Sequence, residues 1–452
     1  MSEILEASRT IEVIAEADVL VIGSGPGGLA AAVSAARAGV SVLLVERYGC
    51  FGGVISQVGV ESIAWYRHEG TTDVEGVGLE FEQRAKALGG SRKESQSNSE
   101  ALDPEMFKLV ADQFVESAGV RPLLHCLVSA PYLEGNAIKG LITESKMGRK
   151  AILGKIVIDA SGDADIAYRS GAPCVKTPLD EMMGVTVIFS CSGIDKKRFQ
   201  EYIRENPSTY GDWEQGWNIK TSGKEDHLFS PYLNKPFQLA REEGLIPENI
   251  LSIGGTWGSI TDSGEAMSMN MVYLTGYDAT DVWDLTRGEM EGRKQAQMAL
   301  EALRRYLPGF ENARLRNFGM TLGTRDTRKI VGEYVLTGRD VLNRAQFEDS
   351  IGIFPEFVDG YGKLILPTTG RYFQVPYRIL LPQKIENLLV AGRCISGDKT
   401  AHAATRSMMC CTVTGQGAGA AAAAAVLGGK SPRELKIQRI QEILEEQRVR
   451  LY

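Results

Sequence analysis

Residues 18–46 read DVLVIGSGPGGLAAAVSAARAGVSVLLVE. The short apolar run, the glycine cluster, the alanine-rich stretch with helical spacing and the second apolar run predict strand, turn, helix and strand in that order. Gly23-x-Gly25-x-x-Gly28 falls on the turn, and Glu46 follows Gly28 by 18 residues at the end of the second strand. At such a turn the first glycine permits the tight bend, the second lets backbone N–H groups approach a pyrophosphate, and the third lets helix and strand pack closely. The helix N-terminus, with Gly27 in its first turn, adds about 0.3 to 1 kcal/mol of attraction for phosphate. Glu46 can accept from a ribose and would repel a 2′-phosphate, so the pattern points to FAD or NAD rather than NADP.

The next stretch, ERYGCFGG (46–53), sets Arg47 beside the acid and places Gly52 and Gly53 where a longer, extended cofactor would need close backbone approach. Asp103 and Pro104 predict the cap and first residue of a helix reaching about Ala118. The polar run 66–102 reads as a surface excursion with a weak helix near Leu79 to Leu88. From Arg121 to Ala160, three apolar runs separated by Gly135-Asn136 and Met147-Gly148 predict an antiparallel meander that feeds a parallel sheet and ends in IVIDASGD. Texture then changes: Trp213, Trp217, Trp257 and Trp283 fall in residues 181–382, together with a long amphipathic helix from about Thr280 to Tyr306. The chain returns to a buried strand at Ile385 to Ala391, a turn GRCISGDK, and a long small-residue helix from Ala403 to Leu427. The division expected is a first cofactor segment at 16–180, an inserted mixed α+β substrate domain at 181–382, a return segment at 383–430 and a C-terminal amphipathic helix at 431–452. That helix reads as a solvated surface element or an oligomer contact.

A chain of 452 residues exceeds the size of one growing core. Hydrophobic residues at 43% and charged residues at 24% argue against disorder. A net charge of −7 with scattered Lys and Arg argues against a nucleic-acid partner. Four glutamates and no apolar core in the first 17 residues argue against a secretory signal, and the run Thr412 to Leu427 is shorter than a bilayer span, so a cytoplasmic protein off the membrane is expected. Seven cysteines form no CxxC pair and no zinc-like cluster, which disfavours a bound metal or a disulfide framework. Cys50 is the one thiol whose position falls near the glycine block.

Five stretches taken together resemble the FAD-dependent oxidoreductase family, the single-Rossmann flavoproteins distantly related to fumarate reductase and succinate dehydrogenase flavoproteins. They are Asp18 to Gly53, DASGDADIAYRSGAP at 159–173, LGTRDTRKIVGEYVL at 322–336, VPYRILLP at 375–382 and NLLVAGRCISGDKTAHAATRSMMCCTVTGQGAGAAAA at 387–423. The resemblance implies an α/β, glutathione-reductase-like FAD-binding domain with an inserted substrate domain, and hydride transfer between a small-molecule substrate and flavin N5; with no histidine in the N-terminal glycine block and Cys50 the one thiol near it, the FAD is expected to be held non-covalently. It implies Gly392 and Arg393 beside the cofactor, Arg406, Met408 and Met409 near the flavin pyrimidine, and the Val128 backbone at the adenine. Gly162 and Asp163 look like the family's G-D pair; Asp163 as cap of the following short helix is the other reading. A plain NAD-dependent dehydrogenase and a non-catalytic flavin-fold module remain the alternatives, and the electron acceptor or donor is not legible.

Candidates for substrate chemistry are sparser. His402 can handle a proton near neutral pH, Arg325 and Arg328 can hold a carboxylate, Arg406 can balance charge on reduced flavin, and Tyr377 can hydrogen-bond substrate. Three of these readings have a structural alternative: a packing histidine for His402, ion pairs with Asp326 or Glu333 for Arg325 and Arg328, and a core position for Tyr377.

Overall fold

The computed structural model describes residues 3–63, 67–68, 71–72, 74–93, 99–207, 218–220, 232–366 and 371–452. Trp213, Trp217 and parts of the 66–102 run lie outside the described residues.

The glycine turn joins the strand Val13–Ile22 to the helix Pro26–Arg37, and the next strand is Val42–Val45. These strands pair in parallel, flanked by Arg121–Leu123 on one side and Gly148–Asp159 on the other. The first half of Gly148–Asp159 pairs antiparallel with Ala137–Ser145, which continues to Leu127–Glu134; its second half pairs in parallel with Leu388–Val390. One strand therefore carries both the meander and the parallel sheet. The helix Pro104–Ser117 starts where its cap residues place it, with Asp103 accepting from the N–H groups of Glu105 and Met106.

Small residues set the layer above this sheet. A side chain at Gly415 would overlap the Gly27 carbonyl, and one at Gly419 would overlap the Ala31 carbonyl, so Met408–Gly428 lies backbone to backbone on Pro26–Arg37. This helix is long and apolar enough to cross a membrane, yet it is mostly buried inside the protein. The sequence predicts one helix from Ala403; the structure has two. Lys399–Thr405 ends at Arg406, whose N–H returns to the His402 carbonyl, and extended Ser407 opens Met408–Gly428. The break creates a second helix N-terminus, which the helical periodicity of small residues does not reveal.

A second hydrophobic core spans residues 185–322. Its antiparallel sheet runs Tyr232–Leu233, Ile253–Thr256, Glu265–Leu274, Phe189–Ser192, Arg314–Phe318. Across it lies the helix Val282–Tyr306, capped by Asp281, with Gly292 allowing contact with Val187. Residues 330–381, assigned by texture to the inserted domain, contribute Ile330, Phe354, Phe373 and Leu380 to the first core instead. The C-terminal helix is shorter than its apolar pattern, Ile437–Glu446, and buries Ile440, Ile443 and Leu444 on its own chain.

Candidate active site

A cavity of about 430 Å³ opens between the glycine turn and the second core, within the range of small-molecule sites. At one end Gly23, Gly25 and Gly27 line it. Gly23 has φ +93°, and a side chain there would overlap the Ala160 carbonyl. A Cβ at Gly53 would sit 2.5 Å from Gly25 Cα, and one at Gly27 would sit 3.0 Å from Gly392. Three glycine stretches thus meet at van der Waals distance. Gly28 does not face the cavity; a side chain there would overlap the Gly23 carbonyl, the close-packing role of the third glycine. Gly52, expected to face a cofactor, does not line it either. Its N–H donates to the Ser24 carbonyl at 2.9 Å, with φ +112°, so it fastens the loop to the turn.

Glu46 is buried at the cavity wall, where one oxygen accepts from Ser24 N–H at 3.0 Å and Ser24 Oγ at 2.6 Å and the other from Tyr48 N–H at 3.0 Å. A carboxylate has about four acceptor sites, which leaves capacity for a ribose hydroxyl. Arg47 lines the cavity with its guanidinium over the Tyr48 ring. Val128 lines it too, its carbonyl taken by Arg169 Nη1 at 2.9 Å. Gly162, Asp163, Gly392, Arg393, Met408 and Met409 complete this end. Asp163 Oδ1 accepts from Arg393 Nη2 and from Thr327 Oγ1, each at 2.6 Å. It caps nothing: Asp159, which sequence reasoning passed over, accepts the Ile166 and Ala167 N–H groups through Oδ2. The fully buried Asp159 carboxyl is pushed up by burial.

Two helices point uncapped N-termini here, Pro26–Arg37 after Gly25 and Met408–Gly428 after Ser407, neither with a side-chain cap. Backbone donors left over by a helix start suit anions and polar carbonyls. Close-packed glycines and free helix starts as donors, with a buried acid at the second strand end as acceptor, suit a dinucleotide such as FAD. The FAD-dependent oxidoreductase family model matches residues 18–444.

The chain belongs to the FAD-dependent oxidoreductase family.

This flavoenzyme therefore uses FAD, and the NAD-dehydrogenase and non-catalytic readings fall away. A curated relative, digeranylgeranylglycerophospholipid reductase of Methanoculleus marisnigri, is 29% identical over 178 residues, 37% of this chain and 44% of that one. The match thus spans less than half of that relative's length. Among solved structures, a myxobacterial chondrochloren halogenase superposes with TM-score 0.50 at 13% identity, covering 95% of this chain and 78% of that one. A geranylgeranyl bacteriochlorophyll reductase-like protein of Thermoplasma acidophilum gives TM-score 0.49 at 13% identity, covering 96% and 84%.

Arg325 lines the flavoenzyme's cavity beside Thr186 and Asn270, and Arg406 lines it two residues before Met408. Arg325 donates to the Gly184 carbonyl and to Asn270 Oδ1, both at 3.2 Å, and lies over the Tyr273 ring. Thr186 Oγ donates to the same amide oxygen at 2.8 Å. Arg406 binds the carbonyl and carboxylate of Asp359. Asn270, Thr186 and Asp359 carry no sequence signal, since each is one common residue in an unremarkable strand. Gln57 also lines the cavity, from a π-helical turn at Val54–Val58. Its bulged backbone resembles turns found near functional sites.

Three of the residues expected to carry substrate chemistry do not line the cavity. Arg328 pairs with Asp165 at 2.5 Å and donates to the Asp163 carbonyl, so it ties Arg328–Ile330 to the short helix after Asp163. Tyr377 is in the core, and its hydroxyl donates to the Pro432 carbonyl at 2.9 Å. His402 is 1% exposed and its Nε2 donates to the Arg325 carbonyl at 3.0 Å. Burial, then nearby Lys329, push its imidazole down to about 3, so it stays neutral and braces the Arg325 backbone. Cys50 lies near Ser56 and Met320, off the cavity, and burial pushes its thiol up.

Proposed function

We propose that this FAD-dependent oxidoreductase passes a hydride between a carbon of a small polar, carboxylate-bearing substrate and flavin N5. FAD supplies the two-electron chemistry when bound; the chain supplies position and charge. In this reading Gly23, Gly25, Gly27 and Gly53 admit the pyrophosphate, Glu46 takes the adenosine ribose, and Met408 and Met409 at the helix start face the flavin. Arg325 holds the substrate anion, oriented by Asn270 and Gly184. Arg406, anchored by Asp359, balances charge on reduced flavin. What carries the reading is that both guanidinium groups share one cavity with the glycine turn. In this reading the substrate side is lined by Thr186, Asn270, Leu322 and Arg325 from the second-core segment, with Asp359, Leu364, Leu366 and Arg406 from segments that pack on the first core. A second redox partner must close the cycle.

FAD is held without a covalent bond in this proposal, because a thiol pushed up by burial and turned from the cavity is a poor nucleophile. Acid precipitation then releases the yellow colour to the supernatant; colour left in the pellet defeats it. The anchoring role is tested by screening carboxylate metabolites for flavin bleaching and repeating the best one with Arg325→Met. A loss of ten- to a hundredfold in kcat/KM, about 1.5 to 3 kcal/mol, with FAD content unchanged is expected. Unchanged kinetics would make Arg325 structural.

A further inference from the structure

One wall of the cavity comes from a hairpin, Val358–Gly360 with Lys363–Ile365, whose second strand also pairs in parallel with Asn218–Lys220 to make a three-stranded sheet. Side chains on a strand alternate between faces, and directly paired residues share one. Asp359 pairs with Leu364, and Phe357 and Leu366 each lie two positions along from one of them, so these four share a face. They are also the hairpin's cavity-lining residues. Val358 and Ile365, on the opposite face, enter the first core, against which Phe357 also packs while lining the cavity. The face turned to the cavity is thus three apolar side chains and one acid, and the acid is engaged by Arg406.

Apolar contacts continue around the cavity through Val58, Leu322 and Trp257. The polar corner is compact by comparison. Thr186, Asn270 and Arg325 are joined through one amide oxygen, and Gly323 lets Thr186 and Val58 approach each other, a Cβ there meeting them at 2.6 and 2.9 Å. A ligand head bonded at this corner therefore has an apolar surface immediately beside it.

We propose that the substrate is amphipathic, a carboxylate or similar anion on an apolar body, with the head at Arg325 and the body against Phe357, Leu364 and Leu366. This rests on the anion-anchoring role proposed for Arg325 and adds the body. Each methylene buried on that wall tightens binding about fourfold.

The experiment is calorimetric titration of the FAD-loaded protein with acetate, butyrate, hexanoate and octanoate, and with hexanol as the neutral match to hexanoate. Affinity rising stepwise with chain length, hexanoate above hexanol, and Leu366→Gln flattening the length series without changing FAD content or acetate affinity are expected. The wild-type series is decisive alone if that variant fails to fold. Acids that bind with no dependence on length overturn the apolar body and leave the anion anchor standing. Hexanol equal to hexanoate, with acetate silent, defeats the anchor and keeps the apolar wall. Silence from every acid overturns both.

Discussion

At the glycine end of the cavity, Gly23, Gly25, Gly27 and Glu46 fall within one strand-turn-helix-strand unit; at the arginine end, Thr186, Asn270, Arg325 and Arg406 arrive from four separate stretches. The first end is made of backbone and of missing side chains. Its turn offers N–H groups at fixed φ and ψ beside the Glu46 carboxylate, and local sequence specifies that turn, while Val128, Asp163 and Arg393 reach the same end from elsewhere. The second end is made of side chains held by other side chains, and no member is informative without its partners. Cofactor binding should consequently respond to single backbone-filling changes with large effects, and substrate binding to single side-chain losses with moderate ones.

The strongest attempt to break that contrast is Gly25→Asp. A Cβ at Gly25 meets nothing nearer than Gly53 Cα at 4.0 Å, so the variant can fold, but on the proposed placement its carboxylate would face the pyrophosphate in a low-dielectric turn. It should purify colourless and take up FAD at least about a hundredfold more weakly. A yellow variant with one FAD per chain would remove the glycine turn from the cofactor site.

The seam between the ends is held by Glu61, which is wholly buried and accepts the Ser259 N–H at 2.6 Å and the Ser259 hydroxyl at 3.3 Å. It thereby ties the segment after the glycine block to the second core. Burial pushes its carboxyl from 4.5 up to about 7, with Arg92 and Asp103 the charged groups nearby. The folded state binds this proton more tightly than the unfolded one. Stability from Glu61 is therefore full below about pH 4.5, falls as pH rises through about 7, and is lost above it, about 3 kcal/mol in all. Thermal melts at pH 5 and pH 8 should show a smaller drop for Glu61→Gln than for the wild type. Equal drops would mean that this carboxyl is ionised throughout.

The two arginines of the 322–336 stretch sharpen the comparison at smaller scale. Arg328→Met removes a partly buried pair with Asp165 and should cost about 1 to 2 kcal/mol in stability while leaving kcat/KM within about twofold. A loss of turnover matching that of Arg325→Met would put Arg328 in the site after all. The smallest effect belongs to Tyr377→Phe, which deletes one hydroxyl bond to Pro432, worth about 0.5 to 1.5 kcal/mol in a melt, with turnover unchanged.

How far each element was legible follows the same division. The strand order around the glycine turn, the Asp103 cap and the long helix before Tyr306 were readable because each has a local signal of period or cap. The break at Arg406 and Ser407 was not, since small residues satisfy helical spacing on both sides of it. Nor was the packing of 330–381 with the first core, because aromatic-rich texture marks burial but not which core receives it. His402 carries two readings in the sequence, proton handling or packing, and burial favours the second for a physical reason. A histidine four residues before an arginine near the flavin looks chemical, yet its ring is turned to the Arg325 carbonyl and is too buried to titrate near neutrality.

Sequence by itself determined the cofactor: glycines and an acid at fixed spacing along a few consecutive elements mark a dinucleotide site, and the family resemblance along the rest of the chain narrowed it to FAD. Only the tertiary structure decided which of the polar candidates meet the cavity. Arg325 and Arg406 do, while Arg328, Tyr377 and His402 spend their polar groups on Asp165, Pro432 and the Arg325 backbone. A side chain's chemistry is fixed by its type, but its availability is fixed by which distant partner reaches it first, and that is a property of the folded chain.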